Sequence, residues 1–232
     1  MGEIRENLLN IRSNIAEVCA KLGRNPDDIC LIAVTKTVDV DRINHCIECG
    51  ARDIGENKVQ EIMDKYEKIS KDVKWHLIGH LQSNKVKYII DKVDLIHSVD
   101  SISLAQEINS RAEKNALIKE VLVQVNVADE ESKFGIEYDR TESFVREISQ
   151  LGNIRVKGLM TIAPLFEDVE NARPVFRALK QKFDELNIMK IPDVEMKYLS
   201  MGMTNDYRIA IEEGSNMVRV GTGIFGKRNY NK

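Results

Sequence analysis

Short apolar runs alternate with segments of helical period along this chain. Ile4, Leu8, Ile11, Ile15, Val18 and Leu22 step by three and four, which predicts an amphipathic helix that Gly23 ends. Runs rich in β-branched residues predict strands at Ile29 to Lys36, Asp53 to Asn57, Trp75 to His80 and Leu95 to Asp100. Four more follow at Glu120 to Val127, Val156 to Ile162, Tyr198 to Met203 and Met217 to Phe225. Helices fill the gaps. Asp39 is an expected N-cap with Gly50 past the helix end, Ser101 precedes Leu104, and Thr204 or Asn205 precedes Ile209 with Gly214 closing. Phe144, Val145, Ile148 and Leu151 make one helical face; Val175, Phe176, Leu179, Phe183 and Leu186 make that of the longest helix. Repetition of this kind implies parallel strands. Eight such units in 232 residues fit an α/β fold, a closed (β/α)8 (TIM) barrel with an additional N-terminal helix, better than an open sheet. No linker or composition shift suggests a boundary, so a single domain over residues 1–232 is expected.

In such a barrel the active site lies at the C-terminal ends of the strands. The predicted strands end, in chain order, at Lys36, Glu56-Asn57, His80, Ser98, Asn126, Thr161, Ser200 and Arg219. Lys36 closes an apolar run. Desolvation there would favour the neutral, nucleophilic amine that carbonyl chemistry needs, whereas a lysine that snorkels out at the strand end would do nothing. Phosphate is commonly held after strands seven and eight. Here those strands carry Ser200-Met201-Gly202-Met203-Thr204-Asn205 and Arg219-Val220-Gly221-Thr222-Gly223, glycines for close backbone approach and hydroxyls as donors. Arg219 lies in a run that should be buried and therefore needs a partner, a phosphate or a ring nitrogen. Because arginine keeps its proton, one that faces a pyridine nitrogen would leave that nitrogen unprotonated and the ring a weaker electron sink. His76 is expected to be a hydrogen-bonded core residue, His80 either lines the site or faces solvent, and Lys85 and Lys87 form a solvated face. His97 has no assigned role.

Composition narrows the partners. Lys and Arg number 34 against 37 Asp and Glu, a net charge of −3 that gives no global case for nucleic-acid or membrane attraction. Residues 1–22 mix charges with apolar positions and lack a signal-peptide core, so a soluble cytoplasmic protein is expected. Cys46 and Cys49 fall within a predicted helix, with no second Cys/His pair at metal-binding spacing, so no metal site is expected.

Taken together, several segments resemble the pyridoxal phosphate homeostasis family, single-domain relatives of the alanine racemase barrel. They are Leu31-Ile32-Ala33-Val34-Thr35-Lys36, Gly55-Glu56-Asn57 and Trp75-His76-Leu77-Ile78-Gly79-His80-Leu81-Gln82-Ser83-Asn84-Lys85. Gly158-Leu159-Met160, Ser200-Met201-Gly202-Met203 and Val218-Arg219-Val220-Gly221-Thr222-Gly223-Ile224-Phe225-Gly226 complete the match. The resemblance implies that Lys36 forms a Schiff base with pyridoxal 5′-phosphate and that Arg219 faces the pyridine nitrogen. It further implies that Ser200, Gly221 and Thr222 hold the phosphate, with Asn57 and Met201 as neighbouring contacts.

A racemase needs two acid/base groups on opposite faces of the cofactor. In alanine racemases the second is a tyrosine from a further domain of the partner subunit, and nothing in this sequence fixes Tyr207 or His80 opposite Lys36. The expected role is therefore binding and buffering of pyridoxal phosphate rather than catalysis, with no catalytic residue assigned. The alternative is a pyridoxal phosphate-dependent amino-acid racemase of low activity. A barrel aldolase with a strand-end lysine is a third reading, which a visible-range cofactor band would exclude. A monomer with transient contacts to enzymes that use the cofactor is expected.

Overall fold

The computed structural model describes residues 2–69, 72–128 and 134–226. Among these residues there are nine parallel strands: β1 (Cys30–Val34), β2 (Asp53–Glu56), β3 (Lys74–Leu77), β4 (Leu95–Val99), β5 (Lys119–Asn126), β6 (Ile136–Glu137), β7 (Ile154–Met160), β8 (Val194–Met203) and β9 (Met217–Val220). Eight follow the order β4-β3-β2-β1-β9-β8-β7-β5, and β5 pairs back on β4, which closes the barrel. The two-residue β6 lies outside the ring and, among the described residues, pairs with β5. It was not expected from the sequence, being too short to carry a period.

The helices are α1 (Gly2–Leu22), α2 (Val40–Glu48), α3 (Val59–Lys65), α4 (Ile102–Lys114), α5 (Thr141–Ile148), α6 (Arg173–Met189), α7 (Tyr207–Glu212) and α8 (Thr222–Phe225). Asp39 and Ser101 cap α2 and α4 through the N–H groups of Arg42 and Leu104, as their spacing predicts. Several boundaries differ: β3 stops at Leu77, short of His80, and β8 begins at Val194, ahead of Tyr198. Helix α7 begins at Tyr207 after Asp206, so Thr204 and Asn205 remain in the preceding turn. The last predicted strand stops at Val220, and residues through Phe225 form the turn of α8. Ile224 and Phe225 are buried in both readings, which is why the apolar pattern did not separate them.

Two layers of side chains hold the fold. The outward faces of the strands pack on the helices in one large cluster that includes Ile43, Ile54, Leu77, Val121, Phe176 and Val218. Ile32, Leu95, Leu122, Met160 and Met217 form a second, smaller cluster on the other face of the strands, inside the barrel. Barrel interiors are filled by alternating residues in this way. Helix α1 packs against α7 and α8, where Asn7 donates to the Ile224 carbonyl and Arg24 to those of Ile211 and Ser215. Cys46 is a buried residue of α2, with its thiol pushed up to about 12 by burial. Among the described residues no helix is long and apolar enough to cross a membrane, and no cluster of His, Cys, Asp and Glu is placed to hold a metal.

Arg173 at the start of α6 reaches Glu170, Glu212 and Glu213, and Arg177 also binds Glu213, tying α6 to the end of α7. Burial works to raise the Glu213 carboxyl, but hydrogen bonds from Arg177 and Arg173 hold it below its ordinary value of 4.5. A depressed folded-state value contributes stability that is present above the ordinary value and lost as pH falls through the folded one. Thermal unfolding followed between pH 6 and pH 3 is therefore expected to show stability declining once the pH passes below 4.5, with a shallower decline in Glu213→Gln.

Candidate functional site

The turn after β1 is held by charges that the protein keeps almost dry. Thr35 is buried; its Oγ1 donates to Glu56 Oε1 at 2.7 Å. Lys65 of α3 is also buried, and its ammonium spends its donors on Thr35 O at 2.9 Å, Glu56 Oε1 at 2.8 Å and Glu61 Oε2 at 2.8 Å. Glu61 Oε2 in turn accepts the N–H of Thr37 at 2.6 Å. Thr37 has φ 63°, a left-handed conformation unusual for a β-branched residue, and such strain persists only where surrounding contacts over-determine it. Between the two clamped threonines lies Lys36, half-buried.

Lys36, Asn57, Arg219, Gly221 and Thr222 line one cavity of about 390 Å3 at the C-terminal mouth of the barrel. The segment Ile162 to Phe166 after β7 also lines it, as do Thr204 and Asp206. A larger cavity of about 1030 Å3 opens at the opposite, N-terminal mouth. Site chemistry in barrels belongs to the C-terminal mouth, and the smaller cavity holds the strand-end lysine.

Asn57 Oδ1 is buried, with no hydrogen-bond partner among the described residues. The backbone of Gly79 lies directly against that of Asn57: a Cβ at position 79 would fall 2.4 Å from the Asn57 backbone carbonyl oxygen. Gly79→Ala is therefore expected to push Asn57 out of place, destabilise the fold by about 1–3 kcal/mol through overpacking and weaken ligand binding, which chemical denaturation and ligand titration would measure together.

Arg219, although inside an apolar run, is fully partnered on its barrel side. Nη1 donates to Ser200 Oγ at 2.6 Å and Nη2 to the Thr161 carbonyl at 2.8 Å. Burial works against its charge and Asp206 supports it. The Asp206 carboxyl is raised by burial, despite accepting the Met203 N–H and facing Arg219. At the mouth, Thr222 Oγ1 bonds Thr204 Oγ1 at 3.3 Å, which also accepts the Gly223 N–H.

Two expected site residues stand elsewhere. Ser200 is completely buried behind Arg219, its hydroxyl shared between Arg219 and His97. Met201 packs in the core between strands and helices, and its carbonyl accepts from Ser215. Gly202 has φ 93°, and a Cβ there would lie 2.5 Å from that of Ala210, so its glycine serves the packing of α7 rather than approach to a ligand. His80 lines a neighbouring cavity with Lys85 and Tyr88, stacked on Phe134 at 3.8 Å. Tyr207 OH accepts from Asn14 of α1. His76 is buried and hydrogen-bonded, as expected.

The sequence reasoning missed Lys65, Glu61 and His97. A Glu61/Lys65 pair at i,i+4 reads as ordinary helix-surface charge, and only the tertiary burial of Lys65 separates it from that class. His97 had a usable signal: period two places it on the face of Leu95, inside the barrel.

Fold and site together define a class: a closed (β/α)8 barrel of the alanine racemase type, with a strand-end lysine and a buried arginine on one cavity. The family model described as alanine racemase, N-terminal domain, matches residues 7–229. The chain belongs to the pyridoxal phosphate homeostasis protein family. It is 43% identical over 226 residues to the pyridoxal phosphate homeostasis protein of Aquifex aeolicus (strain VF5), covering 97% of this chain and 98% of that one. It superposes on PipY of Synechococcus elongatus PCC7942 with pyridoxal phosphate (PLP) bound at TM-score 0.84 and 32% identity, covering 97% of this chain and all of that one, 100%. Alanine racemase of Clostridium difficile 630 matches at TM-score 0.75 and 16% identity, covering 100% of this chain but 58% of that one, a likeness of fold alone.

Proposed function

We propose that this protein binds pyridoxal 5′-phosphate at the C-terminal mouth of the barrel and buffers it for delivery to enzymes that use it. The observation that carries the reading is the single cavity that joins Lys36, Asn57, Arg219, Gly221 and Thr222. Its chemistry suits the ligand: an amine for the aldehyde, a fixed cation for the ring nitrogen, small residues and hydroxyls for the phosphate, and an unpartnered carbonyl oxygen on Asn57. The PLP-bound relative and the homeostasis proteins of the family support the same assignment.

When bound, the cofactor supplies an aldehyde that condenses with a primary amine, with loss of water, to a Schiff base; Lys36 is that amine. The Lys65–Glu56–Glu61 cluster fixes the turn on both sides of Lys36, so the amine is presented from a rigid base. Arg219, held by Ser200 and the Thr161 carbonyl, would face the ring nitrogen without giving it a proton. Gly221 and Thr222 would hold the phosphate, with Thr204 beside them. Ser200 then acts through Arg219, not on the phosphate.

Two features favour buffering over turnover. An arginine opposite the ring nitrogen weakens the electron sink. Among the described residues, the titratable side chains on the cavity wall besides Lys36 are Arg219 and Asp206, and the Asp206 carboxylate is tied to the Met203 N–H. The reading has the protein acting as a cytoplasmic monomer, with transient contacts to the enzymes that receive the cofactor. The loaded protein is expected to reactivate a cofactor-stripped enzyme while leaving L-alanine and other L-amino acids unracemised. Steady formation of D-amino acid, abolished in Lys36→Ala, would establish a racemase and defeat the proposal.

A further inference from the structure

Inside the barrel a chain of buried polar groups runs from one mouth to the other. Asp53 Oδ1 of β2 is 3.0 Å from His76 Nε2 of β3, and His76 Nδ1 is 3.0 Å from His97 Nε2 of β4. His97 Nδ1 is 3.1 Å from Ser200 Oγ of β8, which accepts from Arg219 of β9. His76, His97, Ser200 and Arg219 are all buried. The lower end, at Asp53 and His76, opens on the N-terminal cavity; the upper end, Arg219, lines the cavity of Lys36.

The ends fix the direction of every hydrogen in the chain. Arginine only donates, so Ser200 Oγ accepts from it. Burial would raise the Asp53 carboxyl, but hydrogen bonds from His76 and the Cys30 thiol, with the charge of Lys74, hold it below its usual range, so it is an ionised acceptor. His76 must then carry hydrogen on Nε2. With His76 neutral, its Nδ1 accepts from His97 Nε2–H, and His97 Nδ1 accepts the Ser200 hydroxyl proton. Each donor meets one acceptor, and the donors point from Arg219 toward Asp53.

A second proton on His76 reverses this order. Both nitrogens of His76 would donate, so His97 Nε2 would have to accept and its own hydrogen move to Nδ1. Ser200 would then receive hydrogen bonds from both His97 and Arg219, with its own hydrogen turned elsewhere. His97 stays neutral throughout, because burial, followed by the charges of His76 and Arg219, lowers its basicity well below the usual histidine value. Asp53 on β2 bonds His76 directly, and Asp94 and Glu120 line the same mouth. Lys74 on the same strand as His76 also lines that mouth, Arg219 lies at the far end of the chain, and the Cys30 thiol on β1, pushed up by burial, stays uncharged.

We propose that His76, His97 and Ser200 are positioning residues for Arg219, forming a relay in which proton occupancy of His76 at the N-terminal mouth sets the hydroxyl orientation beside Arg219. The functional consequence rests on Arg219 facing the cofactor; the relay itself does not. The ligand-free protein, labelled with 15N-histidine, tests it by the tautomer pattern of the ring nitrogens. While His76 is neutral, both His76 and His97 are expected as Nε2–H tautomers. On acidification His97 is expected to switch to Nδ1–H in the same step that charges His76. An Nδ1–H His97 beside a neutral His76, or one that keeps Nε2–H beside a charged His76, overturns the relay.

His76→Gln can donate to Asp53 and accept from His97 but cannot take up a proton. In it, His97 is expected to remain Nε2–H at every pH. Over the range in which wild-type His76 titrates, the visible spectrum of the cofactor-loaded wild type is expected to shift and that of His76→Gln to stay constant. A spectral shift that survives in the variant, or none in the wild type, overturns the link to Arg219. No cofactor spectrum in the wild type at all would instead defeat the cofactor reading, with the tautomer result unaffected.

Discussion

Lys36→Ala is expected to bind pyridoxal phosphate without attaching it, so that the visible band of the bound cofactor gives way to the spectrum of the free aldehyde. Arg219, Asn57, Gly221 and Thr222 all remain on the cavity wall, so residual affinity is expected. Removal of the covalent link is expected to weaken binding by at least about tenfold, equivalent to about 1.4 kcal/mol. Lys36→Arg keeps a cation near the phosphate and ring but cannot condense with the aldehyde, and it should behave as Lys36→Ala in the spectrum. Because Lys36 is half-buried at a turn, outside the core clusters, its loss should change unfolding free energy by no more than about 1 kcal/mol. Absorbance titrations of the three proteins, with denaturant unfolding of each, read both effects. A full visible band in Lys36→Ala would remove the lysine from the account.

The second large effect is structural and belongs to a residue that does not touch the cavity. Lys65→Met leaves Glu56 fully buried without its cation, with Glu56 Oε2 already lacking a hydrogen-bond partner among the described residues. Breaking one side of a buried pair typically costs about 3–5 kcal/mol. For a chain of this length that corresponds to a fall in Tm on the order of 10 °C. The double variant Lys65→Met with Glu56→Gln is expected to recover much of the loss, since the stranded charge is then gone. The pH dependence has a definite sign. Burial raises the Glu56 carboxyl above its usual value even with Lys65 present, and loss of the lysine raises it further. A raised folded-state value means stability is retained at low pH and lost as pH rises through it. Lys65→Met should therefore approach the wild type below pH 4.5 and fall away from it above, as thermal unfolding across that range would show. Equal deficits at all pH values would mean that lost packing, not the stranded charge, is responsible.

The barrel was legible because its strands are buried on both faces and read as continuous β-branched runs separated by capped helices. Where the same apolar pattern serves two structures, it failed: Ile224 and Phe225 continue the rhythm of β9 but lie in the turn of α8. In the site, Lys36 and Arg219 stood out as charges within apolar runs, and the structure puts both on one cavity. What escaped was the identity of partners. Ser200 read as a hydroxyl at a strand end, and only closure of the barrel brings it to His97, 103 residues earlier in the chain, and turns it toward Arg219. Lys65 escaped because its helix pairs it with Glu61 on the surface side while the fold buries its ammonium against Glu56 and Thr35. Period-two alternation does place His97 inside the barrel; the role of the buried ring depends on neighbours contributed by three other strands.

The central claim, that this cavity holds pyridoxal phosphate on Lys36, is tested most directly by reducing the cofactor-loaded protein with borohydride and mapping the modified peptide by mass spectrometry. The expected result is one phosphopyridoxyl group per chain, on Lys36. Modification at another lysine, or none in a protein that carries the visible band, would contradict it.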